Sequence, residues 1–162
     1  MRANQLGMVR YLLARGADPR MELLEVEMLT IIALAASYNL PEALRLLVSA
    51  EEGRGRIKGS WALWHAALVS AFDAAETLLY LSADVNELCN TIPYTEDTEG
   101  PFGNGWGTAL HCAVHEGQLK FANWLIRKGA RLDLRNASSK TASDIAAGNG
   151  YPQIREMLET WE

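Results

Sequence analysis

His111 and His115 stand four residues apart in the stretch "TALHCAVHEGQLKFANWLIRKGARLD", with Cys112 and Glu116 beside them. On a helix such a pair shares one face. Two imidazoles, a thiol and a carboxylate could there hold a divalent metal or move a proton. A zinc site, however, needs at least a third protein ligand, and the spacing offers no evident one. His65, Glu116 and Asp144 have side chains fit for acid–base work in a groove, yet nothing in their spacing selects them. No Ser-His-Asp order, zinc-type cysteine pairing or paired catalytic carboxylates stand out. "GPFGNGWGT" is rich in glycine ahead of a helix start, where anions bind well, but it lacks the lysine of a phosphate loop and reads as a flexible turn. The expectation is no catalytic residue, no metal and no cofactor.

Bulk properties narrow the class further. The chain of 162 residues is long enough for one domain with a proper core. Its net charge of −5 does not favour nucleic acid or an anionic membrane surface. The nearest approach to a basic stretch, Arg54 to Lys58, is short and broken by glycine. No apolar run is long enough to span a bilayer, and Arg2, Asn4, Gln5 and Arg10 interrupt any signal-like apolar segment. Two cysteines, Cys89 and Cys112, are too few for a disulfide framework. An intracellular setting, cytoplasmic or nuclear, is expected.

The elements that position these residues recur along the chain. Ala113–Val114 has counterparts in Ala35–Ala36, Ala66–Ala67 and Ala146–Ala147, at intervals of 31, 47 and 33 residues. A second apolar stripe follows each of the first three anchors: Ala43, Leu44, Leu47 and Val48; Ala74, Ala75, Leu78 and Leu79; Phe121, Ala122, Leu125 and Ile126. This pattern places four side chains on one side of a short helix. The same stripe occurs as Met8, Val9, Leu12 and Leu13 near the start. Turn-like segments such as "RGADP", "LSADVN" and "KGARLD" close the units, with Gly16 and Gly129 suited to end helices in the left-handed region. Each unit is then a pair of short antiparallel helices that cannot bury its apolar side alone, and stacking supplies the cover.

"TALHCAVHEGQLKFANWLIRKGARLD", "RYLLARGADP" and "LLYLSADVN" resemble ankyrin repeats. The resemblance implies an all-α solenoid of stacked helix-turn-helix units with hairpin-like turns, covering residues 1–162 as a single domain. It divides the chain into a partial repeat at 1–20, repeats at about 28–55, 60–86, 107–135 and 139–162, and an inserted loop at 87–106. It also implies a structural, hydrogen-bonded role for His111 with Thr108. The family's Thr-Pro-Leu-His element is Thr108-Ala109-Leu110-His111 here, but Thr30-Ile31-Ile32-Ala33, Trp61-Ala62-Leu63-Trp64 and Thr141-Ala142-Ser143-Asp144 elsewhere.

The two ends differ. The last stripe, Ile154, Arg155, Leu158 and Glu159, is charged on its outward half, as a terminal repeat requires. The start, "MRANQLG", leads straight into a second helix, so the chain is expected to begin mid-repeat. Either further repeats precede that edge in a longer parent, or a partner or self-association covers it.

The expected function is binding of another protein through the concave face and turn tips. The residues chosen for it are Tyr38, Trp61, Trp64, Trp106 and His115, with Tyr94, Phe102, Asp97 and Glu99 from the insertion. The acidic loop suits a partner with a basic patch. Stacking would bring Trp61, Trp64 and Trp106 together, either as an aromatic groove edged by Tyr38, His65 and His115 or as local core replacing Thr–His hydrogen bonds. Trp124 reads as packing, and Asp73 and Glu76 as solvated charges. The alternative is a small-molecule-binding or catalytic protein whose aromatic groove is lidded by the 87–106 insertion.

Overall fold

The computed structural model describes residues 31–50, 61–89 and 107–161, together with Gly7 and Arg15. The inserted loop beyond Cys89, the partial repeat at 1–20 (those two positions apart) and its uncapped edge lie outside the described residues. Among the described residues there are eight α-helices and no strand. They are α1 (Ile31–Ser37), α2 (Pro41–Ala50), α3 (Ala62–Leu68), α4 (Phe72–Tyr80), α5 (Ala109–His115), α6 (Leu119–Arg127), α7 (Ala142–Gly148) and α8 (Pro152–Glu159). The fold is all-α, as the periodicity and the resemblance imply.

The helices pair into four hairpins, which belong to two compact units, residues 1–84 and 85–162. In the first unit α1 packs on α3 and α2 on α4; in the second α5 packs on α7 and α6 on α8. The first helix of every hairpin has only seven residues. Helices that short do not hold in water by themselves, so their neighbours must supply the stability.

What turns each hairpin is the same device four times. Asn39, Ser70, Gly117 and Gly150 adopt positive φ of 51°, 54°, 67° and 71°. The residue after each donates its N–H to the anchoring alanine five positions back: Leu40 to Ala35 at 3.0 Å, Ala71 to Ala66 at 2.8 Å, Gln118 to Ala113 at 2.8 Å and Tyr151 to Ala146 at 2.9 Å. This is the bond that closes a helix through a left-handed residue. Gly117 has a second reason to lack a side chain, since a Cβ there would stand 3.0 Å from the Tyr151 ring. The ends of the second helices repeat the pattern in two hairpins. Ser82 and Gly129 have φ of 72° and 94°, and Ala83 and Ala130 donate to Leu78 and Leu125 at 2.9 and 3.0 Å.

The core follows the stripes. Ala43, Leu44 and Leu47 are buried, as are Ala74, Ala75 and Leu78, and all four of Phe121, Ala122, Leu125 and Ile126. Val48 and Leu79, at the edge of their stripes, are half-buried. Ile154 and Leu158 are buried while Arg155 and Glu159 face solvent, joined Nε to Oε1 at 2.6 Å. Each large apolar side chain so buried contributes about 1.5–3 kcal/mol. On the first helices the packed positions are alanines: Ala33, Ala36, Ala62, Ala66, Ala67 and Ala113 have no solvent exposure at all. Small side chains there let adjoining helices lie close, and added methylenes have nowhere to go. Ala66→Leu is therefore expected to destabilise the 1–84 unit by about 1–3 kcal/mol, measured as a shift in urea midpoint at unchanged slope. An unshifted midpoint would mean that the helices of that unit are not in close contact.

Candidate interaction surface

Two hairpins begin with a polar lock and one with an apolar substitute. Thr108 precedes α5, and its backbone N–H donates to His111 Nδ1 at 3.1 Å, with the threonine Oγ1 2.9 Å from the same nitrogen. Nδ1 thus accepts, which leaves the proton on Nε2. Nε2 then donates to the carbonyls of Leu134 and Lys140, at 3.1 and 3.2 Å. The ring ties the start of α5 to the middle and the end of the loop leading to α7. Burial pushes its pKa down, and the two carbonyls oppose that only in part. His111 is a neutral structural residue, not a ligand or a base.

At α7 the same lock is built from Thr141 and Asp144. The Thr141 N–H and hydroxyl both donate to Asp144 Oδ2 at 2.9 Å, and the Asp144 N–H returns a bond to Thr141 Oγ1 at 3.2 Å. Those bonds to Thr141 hold the carboxyl below its ordinary value. Asp144 therefore caps a helix and is engaged there.

At α3 the equivalent residues are Trp61 and Trp64. Trp61 makes no side-chain cap and takes a left-handed φ of 49°. The two residues are only 8 % and 5 % exposed, so they fill the core where the hairpins of α5 and α7 use hydrogen bonds. Trp64 meets His65 edge-on, with centroids 5.3 Å apart. The expected aromatic-lined binding face is corrected at these two positions, because a buried ring offers a partner no area. Tyr38 is placed by its neighbour. Asn39, its neighbour, donates from Nδ2 to Asp73 at 3.2 Å and accepts from the Ala74 N–H at 2.8 Å. Tyr38 therefore lies by the α3–α4 turn, and the seven residues of α3, about 10 Å of rise, separate that turn from Trp61.

Of the other chosen residues, Tyr38 is 69 % exposed. His115 is half-buried, with Nδ1 at 3.0 Å from Glu116 Oε1 and its carbonyl accepting from Asn149. Tyr94, Asp97, Glu99, Phe102 and Trp106 lie outside the described residues. Val69, Phe72 and Tyr80, not among the expected contact residues, are 50 %, 38 % and 82 % exposed. Val69 was findable, since it stands 31 residues after Tyr38, the interval that separates the first two anchors.

The chemistry-bearing groups serve the fold. Cys89 and Cys112 are free and buried. Burial pushes both thiols well above the ordinary range, with nearby Glu87 and Glu116 adding to it. Cys112 is in the core while His115, one turn on, meets solvent, so the suspected cluster does not converge. Among the described residues no three His, Cys, Asp or Glu side chains gather as metal ligands, and no helix is long and apolar enough to cross a membrane.

The repeated hairpin, the four matching turns and the Thr–His lock define a class of helical repeat protein. A family model described as ankyrin repeats, in three copies, matches residues 1–89, and one described as a single ankyrin repeat matches 107–137. The chain belongs to the ankyrin repeat family, whose repeats are generally protein–protein interaction modules. It is 27 % identical over 104 residues to BRCA1-associated RING domain protein 1 of Caenorhabditis elegans, a match covering 64 % of this chain and 13 % of that protein. It is 43 % identical over 53 residues to alpha-latrotoxin-Lt1a of Latrodectus tredecimguttatus, covering 33 % of this chain and 4 % of the toxin. The chain thus spans a small part of the curated proteins it matches.

Two tests follow from the buried groups. His111 and His65 both have pKa values lowered by burial. Unfolded histidine binds its proton near pH 6.5, roughly, so acid favours the unfolded chain before it protonates the folded one. Stability is expected to be level between about pH 7 and 8 and to fall as pH drops below about 6.5; above about pH 8.5 ionisation of the unfolded thiols lowers it again. The variant His111→Gln, less stable throughout, should show a flatter profile when denaturation midpoints are measured across the acidic range; an unchanged slope would remove the buried neutral ring from the account. Separately, the folded protein should react with a thiol reagent far more slowly than the denatured chain, in which both cysteines titrate. Rapid modification of either in the native state would contradict their burial.

Proposed function

We propose that this chain acts as a protein-interaction module inside the cell, binding a partner through repeat surface rather than transforming a substrate. The observation that carries the reading is the division of labour among side chains. The histidine, aspartate and thiols able to do chemistry are taken up by caps and core, while large side chains such as Tyr38 stay exposed in a repeat framework whose family binds proteins. Tyr38 and His115 are proposed as contact residues. Tyr94, Asp97, Glu99, Phe102 and Trp106 of the insertion are proposed as further contacts, the acidic ones facing a basic patch on the partner. Two buried thiols fit a reducing compartment.

The experiment is affinity capture from cell extract with the intact chain, compared with a chain in which residues 90–105 are replaced by a short turn, and with a Tyr38→Ala/His115→Ala chain. Quantitative mass spectrometry should show a set of proteins retained by the intact chain and depleted in at least one of the altered chains. Identical capture by all three would overturn the choice of contact residues, and no specific capture by the intact chain would overturn the binding function.

A further inference from the structure

The edge formed by the helix–helix turns of the 1–84 unit carries a surface that its turns do not require. Tyr38 and Val69 occupy the same place in successive hairpins, just before the left-handed residues Asn39 and Ser70, and are 69 % and 50 % exposed. Phe72, the first residue of α4, is 38 % exposed and follows within the same tight turn. The paired Asn39 bonds to Asp73 and Ala74, at 3.2 and 2.8 Å, hold the Tyr38 turn against this one. Three large apolar side chains therefore share one edge.

Turn geometry does not explain them. The 85–162 unit makes the same turns with Glu116 and Asn149 where Tyr38 and Val69 stand. Single exposed apolar residues are ordinary, but a contiguous group ringed by polar residues marks a contact surface. Two carboxylates adjoin this group among the described residues. Glu42 and Asp73 occupy equivalent first-turn positions of α2 and α4, where the second unit has Lys120 and Gln153. A helix start favours a carboxylate for its own sake, so the acids by themselves prove nothing; their coincidence with the exposed apolar group is the informative feature. Glu42 itself lies 3.1 Å from Arg45, one turn on in the same helix.

We infer that this edge docks a linear peptide segment of a partner protein, with an aromatic or aliphatic anchor seated among Tyr38, Val69 and Phe72 and flanking Lys or Arg side chains against Glu42 and Asp73. The inference rests on the protein-binding reading and deepens it at Tyr38, with a defined class of ligand. Area comes from the apolar trio, and the carboxylates set orientation and association rate.

The test is selection of random peptides of roughly twelve residues on the immobilised full chain, long enough to carry an anchor and both flanks. Synthetic copies of the enriched peptides are then titrated by fluorescence anisotropy. The enriched set should pair an apolar anchor with Lys or Arg, and binding should weaken as salt rises. Tyr38→Ser/Val69→Ser should weaken binding by about tenfold or more, and Glu42→Lys should do so independently. All three positions face solvent, so circular dichroism and native thiol protection should stay as in the parent. Enriched peptides without basic residues, or binding indifferent to these changes, would overturn the edge while leaving the interaction module intact. An absence of enriched peptides would overturn the linear-ligand inference, whereas the module fails only if the intact chain captures no protein at all. Concentration-dependent dimerisation abolished by Tyr38→Ser/Val69→Ser would show that a second copy of the chain occupies the edge, and would likewise overturn it.

Discussion

The constraint on which each unit depends is the distance between the first helices of its two hairpins. Seven residues of helix bring too few internal hydrogen bonds to persist alone, so α1 exists because α3 lies against it, and α5 because α7 does. That approach is possible only where the facing side chains stop at Cβ. The fully buried alanines of α1, α3 and α5 satisfy it. The carbonyls of the anchor alanines also receive the bond that closes each hairpin. One small residue thus sets the spacing between hairpins and the point at which the chain reverses.

A second layer of structure can be exchanged without altering the first. The start of a first helix must satisfy or exclude its free N–H groups. Thr108 with His111, and Thr141 with Asp144, satisfy them by hydrogen bonding. Trp61 with Trp64 takes the other route, burying two rings at the cost of a left-handed backbone at Trp61. A neutral imidazole, a carboxylate and an indole thus stand at equivalent places in three hairpins. This is why His111, which looks reactive in the linear sequence, proves to be a brace: its ring reaches carbonyls in the middle and at the end of the following loop and has no free nitrogen to offer a substrate.

Much of this was legible in the sequence. The apolar stripes and the alanine intervals already contained the hairpins, because helix periodicity and repeat register are properties of residue order. The structural role of His111 followed from the family resemblance of its Thr-Ala-Leu-His element and not from spacing. The fate of the tryptophans was not legible. Periodicity says that Trp61 and Trp64 fall in the cap slot, but whether a large ring there turns inward depends on the room left by neighbouring chain. Val69 and Phe72 differ in this respect: the 31-residue interval from Tyr38 points to Val69, whereas Phe72, an apolar residue beside a core stripe, is put outside by the turn geometry alone. Tyr38 stands out in the sequence for its ring, but its place could not be read there, since it depends on the Asn39 contacts with α4, 34 and 35 residues away.

A repeat framework separates positions that must be conserved in character from positions that are free, and that separation locates function. The alanine anchors, the left-handed turn residues and the apolar stripes are fixed by packing, and altering them unmakes the unit. The positions just before each left-handed residue are under no such demand, as Tyr38, Val69, Glu116 and Asn149 all serve the same turn. When a position that tolerates glutamate and asparagine carries an exposed aromatic or aliphatic side chain, folding does not account for the choice, and the residue adds apolar surface at the expense of solubility. Two successive hairpins making that choice on one edge, beside carboxylates in equivalent first turns, is more than the turn chemistry demands. The physical reason must then be sought outside the chain, in whatever that edge meets.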